Sequence, residues 1–507
     1  MNVTDSHKKE IDWPTMLIPF AIVIAMVAIF MIAPEGSKSI VDSLRGFFGD
    51  TIGLYYPVLA ICCVLICIYI AVTPRYGNIR LGNMGSPLYS NFKWGSMIFT
   101  STMAADIMFY SLIEWALYGG EQRIQDLGGV QMWAPTFTLF HWGPLAWGFY
   151  VMLAVCFAFM IHVRRRKRQR FSEACRPLMG DLVDGFWGKL IDIMAIFAVV
   201  CATGTTFSLA TPLLTDGMGF VFGFETNTSI TIIVLLLICA IYTITVLFGL
   251  KGISNLAGIC SYLFFAILLY FLLLGGEIGY IIETGFQSIG NMIQNFIGLS
   301  TYMDPLRENG FAQNWTVYYW AYWLVWCVAT PFFIAIISAG RTIRNVIWGA
   351  FGWGLAGTYM SFIILGNYGL AQQMKHGVDI IGFMGHGGTM YEAIFLIFDT
   401  LPLSSLALIL LVITMIAFYS TTLDGITYVT SSYSYKTISP EEEPSRKIRG
   451  FWSVMLILLP IALLFAENSL YSLQGVTIVS AFPVGIMLII IIWSFFKDCN
   501  NWLKTNH

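Results

Sequence analysis

Asp106 lies deep in an otherwise apolar run, Thr100-Ser101-Thr102-Met103-Ala104-Ala105-Asp106, and Asp424 in another, Ser420-Thr421-Thr422-Leu423-Asp424-Gly425. Glu114 and Asp192 stand nearer the ends of their runs. A charged side chain at the centre of a bilayer-spanning helix costs roughly 2.5–3.5 kcal/mol on insertion scales, so each of these carboxylates needs a partner or a purpose. Helix capping or local pairing accounts for Glu114 and Asp192. Asp106 is deeper, and its small neighbours predict a close-packed, partly unwound segment lining a cavity. There a carboxylate must be neutralised by a proton, a sodium ion or an organic cation.

Aromatic residues supply the second chemistry. One run reads Phe140-His141-Trp142-Gly143-Pro144-Leu145-Ala146-Trp147-Gly148-Phe149-Tyr150, and another reads Asn314-Trp315-Thr316-Val317-Tyr318-Tyr319-Trp320-Ala321-Tyr322-Trp323-Leu324-Val325-Trp326. Tyr319, Tyr322, Trp323 and Trp326 recur at i, i+3, i+4 and i+7, which is one helical face. Interfacial aromatic belts explain Trp315 and some of the tyrosines. Trp326 is too deep for a belt, roughly 15 Å or more from the helix start at 1.5 Å per residue. Facing indoles present negative π faces, which hold a quaternary ammonium that has no hydrogen to donate.

Thr421 and Thr422 form a hydroxyl pair. Such hydroxyls either bond back to their own helix or join unwound backbone carbonyls around a sodium ion. The chain has no G-x-x-x-x-G-K-[ST] loop for a nucleotide. It has no nucleophile with a base at a recognisable spacing, and its six histidines form no metal pair. An enzyme is therefore not expected, and no cofactor is implied beyond a coupling ion.

These residues must be positioned by membrane helices. Of 507 residues, 57% are apolar and only 11% charged, less than half the charged share of roughly 25% in soluble proteins. Mean hydropathy is +0.73. No basic face suggests nucleic acid, and the ten cysteines read as small hydrophobes. Runs of roughly 20 apolar residues suggest about twelve spans. They begin near Trp13–Ala33 and Ile52–Val72 and end near Gly475–Phe496. The basic clusters at Arg75/Arg80, Arg164–Arg168, Lys251, Arg341/Arg344 and Arg446–Arg449 each follow an even-numbered span. By the positive-inside rule these loops and both termini face the cytoplasm of a plasma-membrane protein. Residues 1–13 and 497–507 read as short tails and 14–74 as two peripheral helices. Residues 91–281 and 314–496 read as two five-helix halves in the layout of an inverted repeat. The linker 282–313 reads as an interfacial helix on the outer side. Such a chain contacts membrane lipids, and its basic run after span four could bind anionic ones.

The string Asn314 to Trp323 resembles the signature of the betaine/choline/carnitine transporter family. Phe140 to Trp147, Leu209-Ala210-Thr211-Pro212-Leu213 and Gly340-Arg341-Thr342-Ile343-Arg344 support it. Within that family the chain is most similar to the carnitine/γ-butyrobetaine antiporter and glycine betaine symporter branches. The resemblance implies an all-α, twelve-helix LeuT-like 5+5 inverted repeat preceded by two extra helices, assembled as a homotrimer. Carried over by position, Trp142, Trp147 and Tyr322 form the central ammonium cage. Trp323 and Trp326 line the adjoining pathway, and Tyr150 is a further cage residue. Thr421 and Thr422, with backbone near Thr100 and Met103, match a sodium site, and Thr205 matches part of a second.

The departures from the family pattern are specific. Tyr322 stands for the usual tryptophan and Cys201 for a threonine of the second sodium site. Cys260 replaces the antiporter's arginine, whose charge stands in for sodium. Met103-Ala104-Ala105-Asp106 replaces a glycine-rich segment, and choline carriers of the family have an aspartate where Asp106 stands. The long basic osmosensing tail of the symporter is absent. The expectation is a secondary transporter that takes up a small N-methylated ammonium compound by alternating access, coupled to sodium. The alternatives are a proton-coupled choline carrier using Asp106 and an ion-independent exchanger. A channel would show a continuous polar stripe or a filter ring, whereas these residues are bulky and aromatic.

Overall fold

The computed structural model describes residues 10–101, 104–166, 168–247, 250–438, 442–465 and 470–506. Met103, one of the expected sodium-site residues, and most of the 1–13 tail lie outside the described residues. Regular structure among the described residues is helical apart from two isolated bridges, Ile11 to Tyr435 and Arg80 to Thr342. That follows from the composition, because in hydrocarbon a backbone must pair its N–H and C=O groups within its own segment. Eight helices are long and apolar enough to cross a membrane, and up to eleven spans result if each bent pair counts as one. The expected sixth span is a shorter apolar helix, Thr228–Ile244.

The bends fall at informative places. Asn91–Thr100 and Ala105–Gly119 meet at 68°, with Asp106 in the first turn of the second helix. Ala312–Trp326 and Thr330–Ile337 meet at 54°, just beyond the aromatic run. Gly258–Leu274 and Ile278–Thr301 meet at 112°, and Ile278–Thr301 packs on Val130–His141. Burial separates centre from periphery: 94% of the apolar window in Val130–Val163 is buried, against 28% in Trp13–Ile32. The long helix Phe186–Phe222 packs against Ser404–Tyr433, Arg446–Phe465 and Leu470–Asn506, and also touches Tyr318–Trp326.

The basic run after the fourth span is internally compensated. Arg164 pairs with Asp498, Arg166 with Glu173 and Asp498, Arg168 with Asp184, and Arg170 with Asp12 and Asp192. Alternate arginines thus clasp the ends of several helices, and Asp498 lies on a last helix that continues to Asn506. A second clasp joins residues 79–88 to residues 339–343. Gly340, at φ +81°, donates its N–H to the Leu81 carbonyl at 2.7 Å, and a Cβ there would lie 2.5 Å from the Ser86 carbonyl oxygen. Arg341 then lies over the Trp94 ring at 4.0 Å and donates to Asn91 and Asn345. All ten cysteines are free and all but Cys62 are buried, as small hydrophobes should be.

Candidate functional site

A helix break presents the first two tryptophans. Val130–His141 ends at Trp142, Gly143 is extended, and Pro144 starts the next helix at the position where its missing N–H costs nothing. The Trp142 carbonyl at the break accepts the Thr358 hydroxyl at 3.1 Å. Trp147 and Tyr150 follow on the first turns of Pro144–Ala158, their rings 5.6 Å apart. Facing them, a π-helical turn at Ala312–Val317 leads into Tyr318–Trp326. Trp323 then touches three rings, with centroids 5.6 Å from Trp142, 5.7 Å from Trp147 and 4.8 Å from Tyr150. Tyr322 lies 6.5 Å from Trp142 and 6.4 Å from Trp326. All six rings named from the sequence are therefore buried in one contiguous cluster. A cation held between two rings sits within about 6 Å of each centroid. Rings already this close must part at Trp323 before one can enter.

Two carboxylates from Ala105–Gly119 reach this cluster. Asp106 is buried, and its Oδ2 accepts the Tyr322 hydroxyl at 2.6 Å. Because that phenol has a single hydrogen, the Thr206 hydroxyl at 2.6 Å donates to the Tyr322 oxygen. Glu114 does not cap a helix end; it pairs locally with Tyr118 and also reaches beyond its own helix. Its Oε2 accepts Trp142 Nε1–H at 2.8 Å and the Tyr319 hydroxyl at 2.6 Å, and its Oε1 accepts the Tyr118 hydroxyl at 2.6 Å. Tyr118 also meets His141 Nδ1 at 2.7 Å, and His141 Nε2 meets the Thr316 hydroxyl at 3.0 Å. Asp192 pairs beyond its own helix, with Arg170 and Ser172, 22 and 20 residues away in the chain. Four buried polar atoms of the cluster have no hydrogen-bond partner among the described residues: Asp106 Oδ1 and the indole nitrogens of Trp147, Trp323 and Trp326.

The hydroxyl pair is on the Ser404–Tyr433 helix. Thr421 donates to the Ala417 carbonyl at 2.9 Å, its hydroxyl oxygen is 2.8 Å from Cys260 Sγ, and Thr422 beside it is half-buried. Thr100 likewise donates to Met97 at 3.1 Å. A hydroxyl that gives its hydrogen to the backbone, as those of Thr421 and Thr100 do, keeps lone pairs with which it can accept. Asp424 is fully buried one turn beyond Thr421. Cys201 and Thr205 are buried on Phe186–Phe222, and Thr477 donates to the Thr205 hydroxyl at 3.0 Å.

Sequence reasoning missed several partners of the cage. Tyr110 lies 5.8 Å from Trp142 and 6.4 Å from Tyr322, and Phe362 lies 4.9 Å from Trp142. Gly354 packs on Trp147 so closely that an added Cβ would lie 2.5 Å from the ring. Glu114 was visible as a carboxylate two helical turns from Asp106 with Tyr118 at i+4, but nothing local showed its other donors, Trp142 and Tyr319. Trp315 corrects the belt reading: it is 5% exposed and its indole donates to Glu121 at 2.7 Å.

Over residues 14–503 the chain matches the sequence family described as betaine/carnitine/choline family transporters. It is 28% identical over 504 residues to a "Probable glycine betaine transporter" of Desulfitobacterium hafniense, covering 97% of each chain. It is 27% identical over 501 residues to the glycine betaine transporter OpuD of Bacillus subtilis, covering 97% of this chain and 94% of that one. It is also 28% identical over 447 residues to the "Uncharacterized transporter YeaV" of Escherichia coli, covering 87% and 91%. With its apolar helices, the chain is a multi-pass membrane protein.

Proposed function

We propose, from the premise that the chain belongs to the betaine/carnitine/choline transporter family and is a transporter rather than an enzyme, that it takes up a betaine-type N-methylated ammonium solute by secondary active transport. The observation that carries this reading is the buried cluster itself. Six rings offer π faces to a methylated cation, while three indole N–H groups and one carboxylate oxygen that have no partner among the described residues remain for polar parts of a ligand. The indoles suit the carboxylate of a zwitterion such as glycine betaine or carnitine. Asp106 suits a bare cation such as choline, or carries a proton or sodium ion when a zwitterion binds.

The arrangement proposed around the site is a LeuT-like inverted repeat of residues 91–281 and 314–496, with 14–74 peripheral and 282–313 interfacial. One repeat rocks against the other so that the cage opens to alternate faces. Sodium at Thr421 and Thr422, with backbone near Thr100 and Met103, is the proposed coupling ion. The position of Cys260 against Thr421, without a charge of its own, favours sodium over ion-independent exchange. A homotrimer with cytoplasmic termini in the plasma membrane completes the reading. Binding of glycine betaine, carnitine, choline and partly methylated glycines to the purified protein, with sodium or potassium, tests it. Saturable sodium-enhanced binding of at least one is expected; no binding across the panel contradicts it.

A further inference from the structure

Glu114 lies buried beside the cage, at one end of a hydrogen-bonded row that continues through Tyr118 and His141 to Thr316. The Tyr118 oxygen is 2.6 Å from Glu114 Oε1 and 2.7 Å from His141 Nδ1, and His141 Nε2 is 3.0 Å from the Thr316 oxygen. Tyr118 has a single hydrogen for two neighbours, so the row has two complete arrangements. In the first, Glu114 is ionised. Tyr118 donates to Oε1, Nδ1–H donates to Tyr118, and the Thr316 hydroxyl donates to Nε2. In the second, Glu114 is protonated and every bond of the row is reversed. Oε1–H donates to Tyr118, Tyr118 donates to Nδ1, and Nε2–H donates to Thr316. The heavy atoms keep their places, and the bonds from Trp142 and Tyr319 to Oε2 are made in both.

One proton separates the two arrangements. It binds at Nε2 as the Thr316 hydrogen turns aside. The Nδ1–H bond breaks while its hydrogen joins the Tyr118 oxygen, and the hydrogen that Tyr118 gives up joins Oε1. His141 is neutral before and after, so the net change is one negative charge removed at Glu114. Thr316 lies on Ala312–Val317, shortly after the exposed residues 305–308, so the row runs from that turn to the N–H edge of Trp142. No basic side chain pairs with Glu114 among the described residues; the titratable groups facing it are Tyr110, Tyr118, Tyr318 and Tyr319, with His141 behind Tyr118 and Asp106 two turns away on the same helix. A carboxylate in a membrane interior needs a neutralising charge. Three donors wall Glu114 in, so a metal ion has to displace one of them, whereas a proton needs no room. A methylated ammonium on the face of Trp142 supplies the same charge from across one indole.

We propose that Glu114, Tyr118, His141 and Thr316 form a proton relay that loads Glu114 while the cage is empty and discharges it when an ammonium binds. The proton is exchanged for the solute's cation rather than carried beside it. The exchange rests on the substrate class proposed above; the loading of Glu114 does not. Infrared difference spectra of the ligand-free protein across a pH titration read the loading. A protonated-carboxyl band should grow as pH falls, persist in Asp106→Asn and be missing from Glu114→Gln, whose amide nitrogen donates to Tyr118 as the protonated acid does. Identical spectra for wild type and Glu114→Gln, or a Glu114 band that ignores pH, overturn the proposal. Choline binding followed with a pH-indicator dye reads the exchange. In Asp106→Asn, choline should release up to one proton per molecule bound, and its Kd should fall by up to about tenfold per unit rise in pH. Both effects should vanish in Asp106→Asn/Glu114→Gln. Binding without proton release overturns the exchange. Tyr118→Phe keeps the Trp142 and Tyr319 bonds but cuts the row, so release there should slow roughly tenfold or more in stopped flow. Release at the wild-type rate overturns the relay. If no probe binds while the Glu114 band still titrates, the substrate class fails and the exchange with it, and the proton site stands.

Discussion

The phenolic hydroxyl of Tyr322 donates to Oδ2 of Asp106 across 2.6 Å, joining a cage ring to the carboxylate in the first turn of Ala105–Gly119. The bond uses one oxygen of Asp106 and leaves Oδ1 without a partner among the described residues. It fixes the carboxylate next to the rings, where it can answer the charge of a ligand or of a coupling ion.

Asp106→Asn should therefore separate ligands by charge. Choline binding should weaken tenfold or more, about 1.4 kcal/mol, because its cation loses a counter-charge. Zwitterion binding should stay largely intact, while the pH or sodium dependence of its transport changes. Titrating both ligands on both proteins is the check. If neither affinity nor ion dependence moves, Asp106 is only a structural hydrogen-bonding group.

Gly354→Ala should disturb the cage from behind. The added methyl carbon would lie 2.5 Å from the Trp147 ring, which is fully buried and has no room to yield without moving Trp323 or Tyr150. Overpacking of this kind costs roughly 1–3 kcal/mol. The expected outcome is a KM raised about fivefold or more in protein that still purifies intact. Wild-type kinetics would show that the Trp147 position does not matter.

Changing both Thr421 and Thr422 to Ala should sharply reduce sodium-stimulated uptake. Proteoliposomes with an inward sodium gradient, compared with potassium on both sides, measure it. Equal rates for the wild type in the two conditions would refute sodium coupling and favour exchange.

Outside the spans, Asp304 organises the turn that leads into the aromatic helix. Burial pushes its carboxyl up, but the N–H groups of Asn309, Gly310 and Glu308 and the charge of Arg307 outweigh that and hold it below the usual carboxylate range. A depressed folded value means the carboxylate stabilises the fold above the ordinary aspartate pKa of about 3.9, and that stability is lost as pH falls through the lower folded value. Asp304→Asn should lower Tm by about 1 °C at pH 7, the effect of about 1 kcal/mol in a chain of this length. The gap should be narrower at pH 3 than at pH 7, because stability is lost as pH falls toward the depressed folded value. A gap of equal size at both pH values would place the effect elsewhere.

How far the sequence could be read follows from which interactions are local. The i, i+3, i+4, i+7 spacing of Tyr319, Tyr322, Trp323 and Trp326 is a property of one helix, and the rings do share a buried cluster with Trp142, Trp147 and Tyr150. Most spans were legible for the same reason, since hydropathy is summed along one segment. Glu114 was legible only in part: Tyr118 is its i+4 neighbour, but its other donors, Trp142 and Tyr319, come from two other segments. The pairing of alternate arginines from Arg164 to Arg170 was hidden too: a count of basic residues predicts sidedness, not partners. The Trp315 belt reading failed because Glu121, its acceptor, lies 194 residues away in the chain.

The central claim is that the cluster of Trp142, Trp147, Tyr150, Tyr322, Trp323 and Trp326 binds a methylated ammonium. Tryptophan-fluorescence titration of the purified protein with glycine betaine and choline tests it most directly, on the wild type, Trp142→Ala and Trp147→Ala. Each ring face contributes roughly 0.5–2 kcal/mol of cation–π attraction, and losing either also opens the cage to water. The account predicts a saturable response in the wild type, abolished in both variants. Unchanged affinity in both would contradict it and move the site elsewhere in the molecule.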